Sequence, residues 1–218
     1  MKQVLVALLA TVTLAGCGGR HAARESVPAT SPVLAPAAAP LDWRTVATLA
    51  DRERLRKWRS VWLDALAGAR ASGAGPAIAA QGELLVPDVS LADPLPPPGS
   101  YRCRVFKLGA KSRGMRDFTA YPHFSCRIER DGALLRFEKT SGSQRPVGRI
   151  FPGIAGRPVF LGTLMLGDET RPIAYGRDVD RDMAGFVDRV EQRRWRLVLP
   201  LPAFESLVDV IELVPAAS

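Results

Sequence analysis

Between Tyr101 and Val214 the apolar residues recur at every second position in run after run, a period that side chains follow in a strand but not in a helix. Tyr101, Cys103 and Val105 alternate with Arg102 and Arg104; Phe124, Cys126 and Ile128 alternate with Ser125, Arg127 and Glu129. Asp131-Gly132 sits between two such runs and marks a tight hairpin. Further strand-like runs follow at 133–139, 147–151, 158–166, 172–175, 185–190, 194–199 and 207–214. Short strands at regular spacing imply an antiparallel sandwich or a small closed barrel of about eight strands. No βαβ alternation appears, which argues against a parallel nucleotide-binding sheet.

The stretch before this region has a different period. Trp43, Ala47, Ala50, Leu55, Trp58, Trp62, Ala65 and Ala69 recur at three- to five-residue steps, the stripe of an amphipathic helix. Asp42 is placed to cap its first turn, and Asp51 marks a second start, so one long helix or two shorter ones fit equally. Ser72-Gly73-Ala74-Gly75-Pro76 is expected to end it. The three tryptophans read as a packing face rather than a sugar- or membrane-binding one. "PDVSLADPLPPPG" at 87–99 then forms a stiff connector. The expected class is therefore α+β, mainly β: a helical segment over 41–86 packed on a barrel or sandwich over 100–215.

The first forty residues carry an address. Lys2, a largely apolar run from Val4 to Leu14 and the sequence Leu14-Ala15-Gly16-Cys17 form a secretory signal over 1–16, too short to span a bilayer. The pattern resembles the bacterial lipoprotein signal, which implies that the Cys17 sulfur takes a lipid and that the membrane is a partner through it. Several acyl chains make such an anchor stable, whereas one is marginal. Residues 17–40, rich in Ala, Pro, Ser and Gly, read as a disordered tether. Gly18 in place of an acidic residue favours the outer membrane, with the body facing the periplasm.

The formal charge is +8, but a secretory signal takes the chain away from nucleic acid, and only five of the thirty basic residues are lysines. The scattered arginines do not form a designed patch. In an oxidising compartment Cys103 and Cys126, both on the apolar faces of expected strands, are expected to pair. Closing that loop contributes roughly 3 kcal/mol on the chain-entropy account.

No motif of nucleophilic, phosphate-binding or zinc-dependent catalysis occurs. His21 and His123 are the only histidines, and neither has a partner set. Asp178, Asp180 and Asp182 suggest a calcium loop, but Met183 and Arg189 stand where an EF-hand needs Gly and Glu. No cofactor or metal is expected. The most site-like residues are Gln144 and Arg145 in "KTSGSQRPVG", with Tyr175 and Arg177 in a second loop. Should the two loops share one end of the barrel, they would hold an anionic or carbonyl-bearing ligand. The alternative is that Arg145 ties a loop down through backbone carbonyls.

"YRCRVFKLG", "FSC", "KTSGSQRPVG", "VFLG", "YG" and "RWRLVLPLP", after the "DRERLRKWR" helix, resemble an exported proteobacterial family known as domain of unknown function 4893. That resemblance spans most of 41–215 and implies no catalytic residues. Three functions compete: a lipid-anchored binding or scaffold module, an envelope hydrolase using Asp168, Glu169 or Glu205, and an exported protease-inhibitor-like barrel. The missing catalytic set points to the first, a non-enzymatic module with an envelope protein or a small anionic ligand as partner.

Overall fold

The computed structural model describes residues 41–153 and 156–217; the leader, Cys17 and the tether expected over 1–40 lie outside the described residues. Eight strands follow one another: β1 (Gly99–Ala110), β2 (Phe118–Asp131), β3 (Leu134–Lys139), β4 (Gln144–Phe151), β5 (Val159–Leu166), β6 (Asp182–Glu191), β7 (Arg194–Pro200) and β8 (Ser206–Pro215). Each pairs antiparallel with the next, and β8 pairs with β1 to close a barrel. Closure satisfies the backbone groups that an open sheet would leave at its edges.

Two local expectations need correction. Residues 172–175 are not a strand: Pro172 lacks an N–H for a ladder, and Tyr175 is drawn to the helices, where its hydroxyl donates to Asp51 at 2.6 Å. The β2–β3 turn lies one residue later than expected, on Gly132 and Ala133, because Asp131 still pairs with Leu134. Gly132 takes the left-handed conformation at φ 61°, which only glycine adopts without strain.

Alternation sends every second side chain inward, and these residues fill one half of the barrel. Tyr101, Ile128, Phe137, Phe160, Trp195 and Leu213 form a dense plug there. Phe137 meets Phe160 edge-on at 5.9 Å. Gly148 and Gly162 are register partners at the wall beside Phe160, and a Cβ on either would approach backbone atoms within 2.3 Å. The Cys103–Cys126 disulfide also belongs to the plug. Its cysteines are not directly opposed: Cys103 pairs with Phe124 and Cys126 with Tyr101. The bridge is diagonal, and its Cα–Cα distance of 5.9 Å still suits it.

The helical segment covers the outer faces of β1, β6, β7 and β8. It comprises α1 (Trp43–Val46), α2 (Leu49–Ala69), a kinked turn (Arg70–Ala74), α3 (Gly75–Ala79) and a 3-10 turn (Gly82–Leu85). Asp42 caps α1, and Thr48 caps α2 by accepting from the Asp51 N–H. Ser72–Pro76 bends the segment at Gly73, φ 89°, and α3 continues beyond, so the expected stop is a kink. Trp62, Ala65, Leu66 and Ala69 face the barrel and are fully buried. Gly109 lets α2 approach β1 closely, since a Cβ there would lie 3.1 Å from the Ala65 Cα.

One arginine fixes this docking. Arg196 projects outward from β7 and is wholly buried. Its Nε donates to Asp188 at 2.9 Å, and its two terminal nitrogens donate to the carbonyls of Glu83, Leu84, Val86, Pro87 and Val89. Asp188 also receives both arms of Arg157 at 2.8 and 2.9 Å. Every donor of Arg196 is thus engaged, and its two terminal nitrogens hold the 3-10 turn and connector to the barrel.

Candidate functional site

The half of the barrel beyond the plug is open. It forms a cup of about 160 Å³ at the end bearing the β3–β4, β5–β6 and β7–β8 connections. Its apolar wall comes from inward positions of the strands: Val105, Phe124, Pro146, Leu164, Met183 and Ile211. A cavity of about this size holds one benzene-sized molecule.

Polar groups enter the cup where the inward stripe of a strand continues past its apolar residues. On β1 the series Tyr101, Cys103, Val105 runs on to Lys107; on β8, Leu213 and Ile211 lead to Asp209; on β3, Leu135 and Phe137 lead to Lys139. Lys107 and Asp209 are register partners. The Lys107 ammonium lies 3.1 Å from Asp209 and 3.0 Å from Glu205, and donates to the Gln144 side-chain oxygen at 3.2 Å. Burial opposes its charge, but the two carboxylates outweigh burial and hold its pKa above the ordinary lysine value. Burial pushes the Asp209 carboxyl up, against the pull of Lys107 and the Ser206 hydroxyl.

Lys139 differs. Its ammonium donates to the carbonyls of Ser141 at 2.7 Å and Gln144 at 2.9 Å, and lies 3.6 Å from the centre of the Phe124 ring. Among the described residues no carboxylate lies within ion-pair distance of it. Burial, then the positive charges of Arg145 and Lys107, bring its pKa down to about 8. Gly142 makes this position tenable: a Cβ there would come 2.7 Å from the Lys139 nitrogen.

The β7–β8 connection forms one rim through Pro202, Ala203, Phe204 and Glu205. Leu201 and Glu205 both take left-handed backbone, φ 50° and 67°. A non-glycine residue pays roughly 1–2 kcal/mol for that conformation. The cost is met by the Glu205–Lys107 pair and by bonds from the Lys111 N–H to the Glu205 carbonyl and from the Leu201 N–H to the Leu207 carbonyl.

Of the four residues singled out from the sequence, Gln144 lines the cup. Arg145, its neighbour on a strand, points to the opposite face, where its guanidinium donates to the carbonyls of Gly142, Gly167 and Glu169. Tyr175 lies on a separate outer groove with Leu134, Phe151 and Leu161, accepting from the Thr48 N–H. Arg177 is exposed in the turn beside it. The structure does not bring Tyr175 and Arg177 to Gln144.

Among the carboxylates considered for hydrolysis, Glu169 is bound by Arg181 and the Leu166 N–H, and Glu205 shares Lys107 with Asp209. His123 lies exposed on β2. Asp182 accepts from the Gly176 N–H, and among the described residues no three His, Cys, Asp or Glu side chains are grouped to hold a metal. Lys107, Lys139 and Asp209 escaped the sequence reading. The signal was present: each is a charge in phase with the apolar residues of its strand.

No curated protein and no solved structure matches the chain. The family described as domain of unknown function (DUF4893) matches residues 43–213, helical segment and barrel together, and the chain belongs to that family.

Proposed function

We propose that this chain is a lipid-anchored protein of the bacterial cell envelope whose barrel binds a small ligand without transforming it. The observation that carries the binding role is the division of the barrel interior: a tight plug in one half and, in the other, an apolar cup into which Lys107, Lys139, Gln144 and Asp209 project. A concave, mostly apolar site with a few convergent polar groups is the usual form of a small-molecule site. The reading without catalysis is favoured because Glu205 and Asp209 are both engaged by one ammonium, leaving neither free as acid or base. The anchored, periplasm-facing position, on the outer membrane, rests on the Leu14-Ala15-Gly16-Cys17 pattern and Gly18. Nucleic acid is not a partner in this account.

The test is to express the full chain with its leader in a Gram-negative host, fractionate the cells and extract small molecules from the purified protein. The chain is expected in the membrane fraction, and Cys17→Ser is expected to release it. A small molecule is expected to leave with the native protein and not with Met183→Trp, which fills the cup. Identical extracts from both proteins would remove the cup from the account. A Cys17→Ser variant that still fractionates with the membrane would remove the anchor.

A further inference from the structure

We infer that the ligand of the cup is a small monocarboxylate carrying one apolar group of about the size of a phenyl ring, its carboxylate seated on Lys139. This rests on the binding role proposed above and names its ligand class.

The two cations in the cup have different surroundings. Lys107 is saturated: two carboxylates and an amide oxygen surround it, so a ligand anion would have to displace Glu205 or Asp209. Lys139 has only neutral partners, two backbone carbonyls and an aromatic face. An ammonium has three donors. Two are spent on Ser141 and Gln144, and the third meets no hydrogen-bond acceptor among the described residues. A buried cation normally has a charged partner, because the cost of taking it out of water is otherwise unmet. An entering carboxylate supplies that partner.

Geometry sets the rest of the ligand. Lys139 and Phe124 lie at the wall, and Val105, Leu164, Met183 and Ile211 form the apolar remainder of the cup. The volume of about 160 Å³ accommodates one ring or a short chain. A dianion would meet Glu205 and Asp209 with its second charge, so single negative charge is favoured.

The experiment is fluorine NMR titration of the purified full chain with 4-fluorobenzoate and with neutral 4-fluorobenzamide. The carboxylate is expected to bind at least tenfold more tightly than the amide. Lys139→Met is expected to lower carboxylate affinity at least tenfold and leave the amide unchanged, with folding verified by its melting curve. If Lys139→Met does not fold, Lys139→Gln replaces it under the same criterion. Equal binding of the two probes, displaced by Met183→Trp, would overturn the carboxylate assignment while leaving the cup as a binding site. No binding of either probe to the native chain would overturn the assignment as well, and the extraction described above would then decide separately whether the cup holds any ligand.

Discussion

Two buried cations, Arg196 under the helices and Lys139 in the cup, show how the same barrel builds a joint and a site. Arg196 has five N–H groups and meets a carboxylate and five carbonyls. Nothing is left over, and the Trp62 ring covers its face at 4.6 Å. Lys139 is also buried but has no carboxylate within reach among the described residues, and its pKa falls to about 8. A charge that folding leaves short of partners costs stability, and such costs cluster where a protein binds something. The first cation locks the helices onto the outer face; the second waits inside.

That contrast can be broken most forcefully at Arg196. Arg196→Met leaves Asp188 with only the half-buried Arg157 and takes the guanidinium donors from five carbonyls, of which only Glu83 and Val86 keep a backbone N–H, for an expected loss of about 4 kcal/mol in urea unfolding. A loss below about 1 kcal/mol would mean that apolar packing alone docks the helices. Arg196→Lys is not expected to rescue, because one ammonium cannot reach both the carboxylate and the row of carbonyls.

Lys107→Met comes next, at about 3 kcal/mol near neutral pH, since it leaves Asp209 buried without its cation. The Asp209 carboxyl is already pushed up by burial, so in this variant the folded state holds its proton more tightly than the unfolded chain. Stability is then greatest below the ordinary carboxylate range and is lost as pH rises through the raised value. The deficit against the native protein should therefore shrink on acidification from pH 7 to pH 4; a deficit independent of pH would show that Asp209 is not the group left exposed to that cost.

Arg145→Ala should cost about 1 kcal/mol, the usual worth of a partly exposed hydrogen-bonded tie. Its 4-fluorobenzoate affinity should stay within about twofold, because the side chain lies outside the barrel. A tenfold loss would return Arg145 to the site.

The smallest effect expected on stability is at Lys139, and its sign is informative. Between about pH 8 and its ordinary value of 10.5 the unfolded chain holds a proton on this lysine that the folded chain has released. Stability therefore gains a contribution as pH rises through that window. Lys139→Met should lack this gain and should unfold no more easily than the native protein at pH 7. A marked destabilisation at pH 7 would identify Lys139 as a structural tie for the β3–β4 turn.

Much of the barrel was legible because its period is two and its turns carry glycine. Seven of the expected runs overlie strands β2 to β8 in order, and the tyrosine–cysteine–valine alternation marks β1. Residues 172–175 misled because Pro172-Ile173-Ala174-Tyr175 has apolar content without a ladder partner; what holds Tyr175 is Asp51, more than a hundred positions away. The disulfide pair was legible from strand phase, but its diagonal register was not, since register depends on where each hairpin turns. The site was half legible. Gln144 stood out because Gly142 and Ser143 mark a loop, yet the same reading joined it to Arg145, which period two sends to the other face. Lys107, Lys139 and Asp209 look like ordinary surface charges until closure turns their stripe inward.

The central claim, that Lys139 is a cation held for a carboxylate, is tested most directly by titrating the lysine side chains by carbon NMR at Cε, with and without 4-fluorobenzoate. The account predicts one lysine titrating near pH 8, lost in Lys139→Met, whose midpoint rises when the carboxylate is present. A Lys139 resonance that titrates at the ordinary lysine value and does not move with the carboxylate would contradict it.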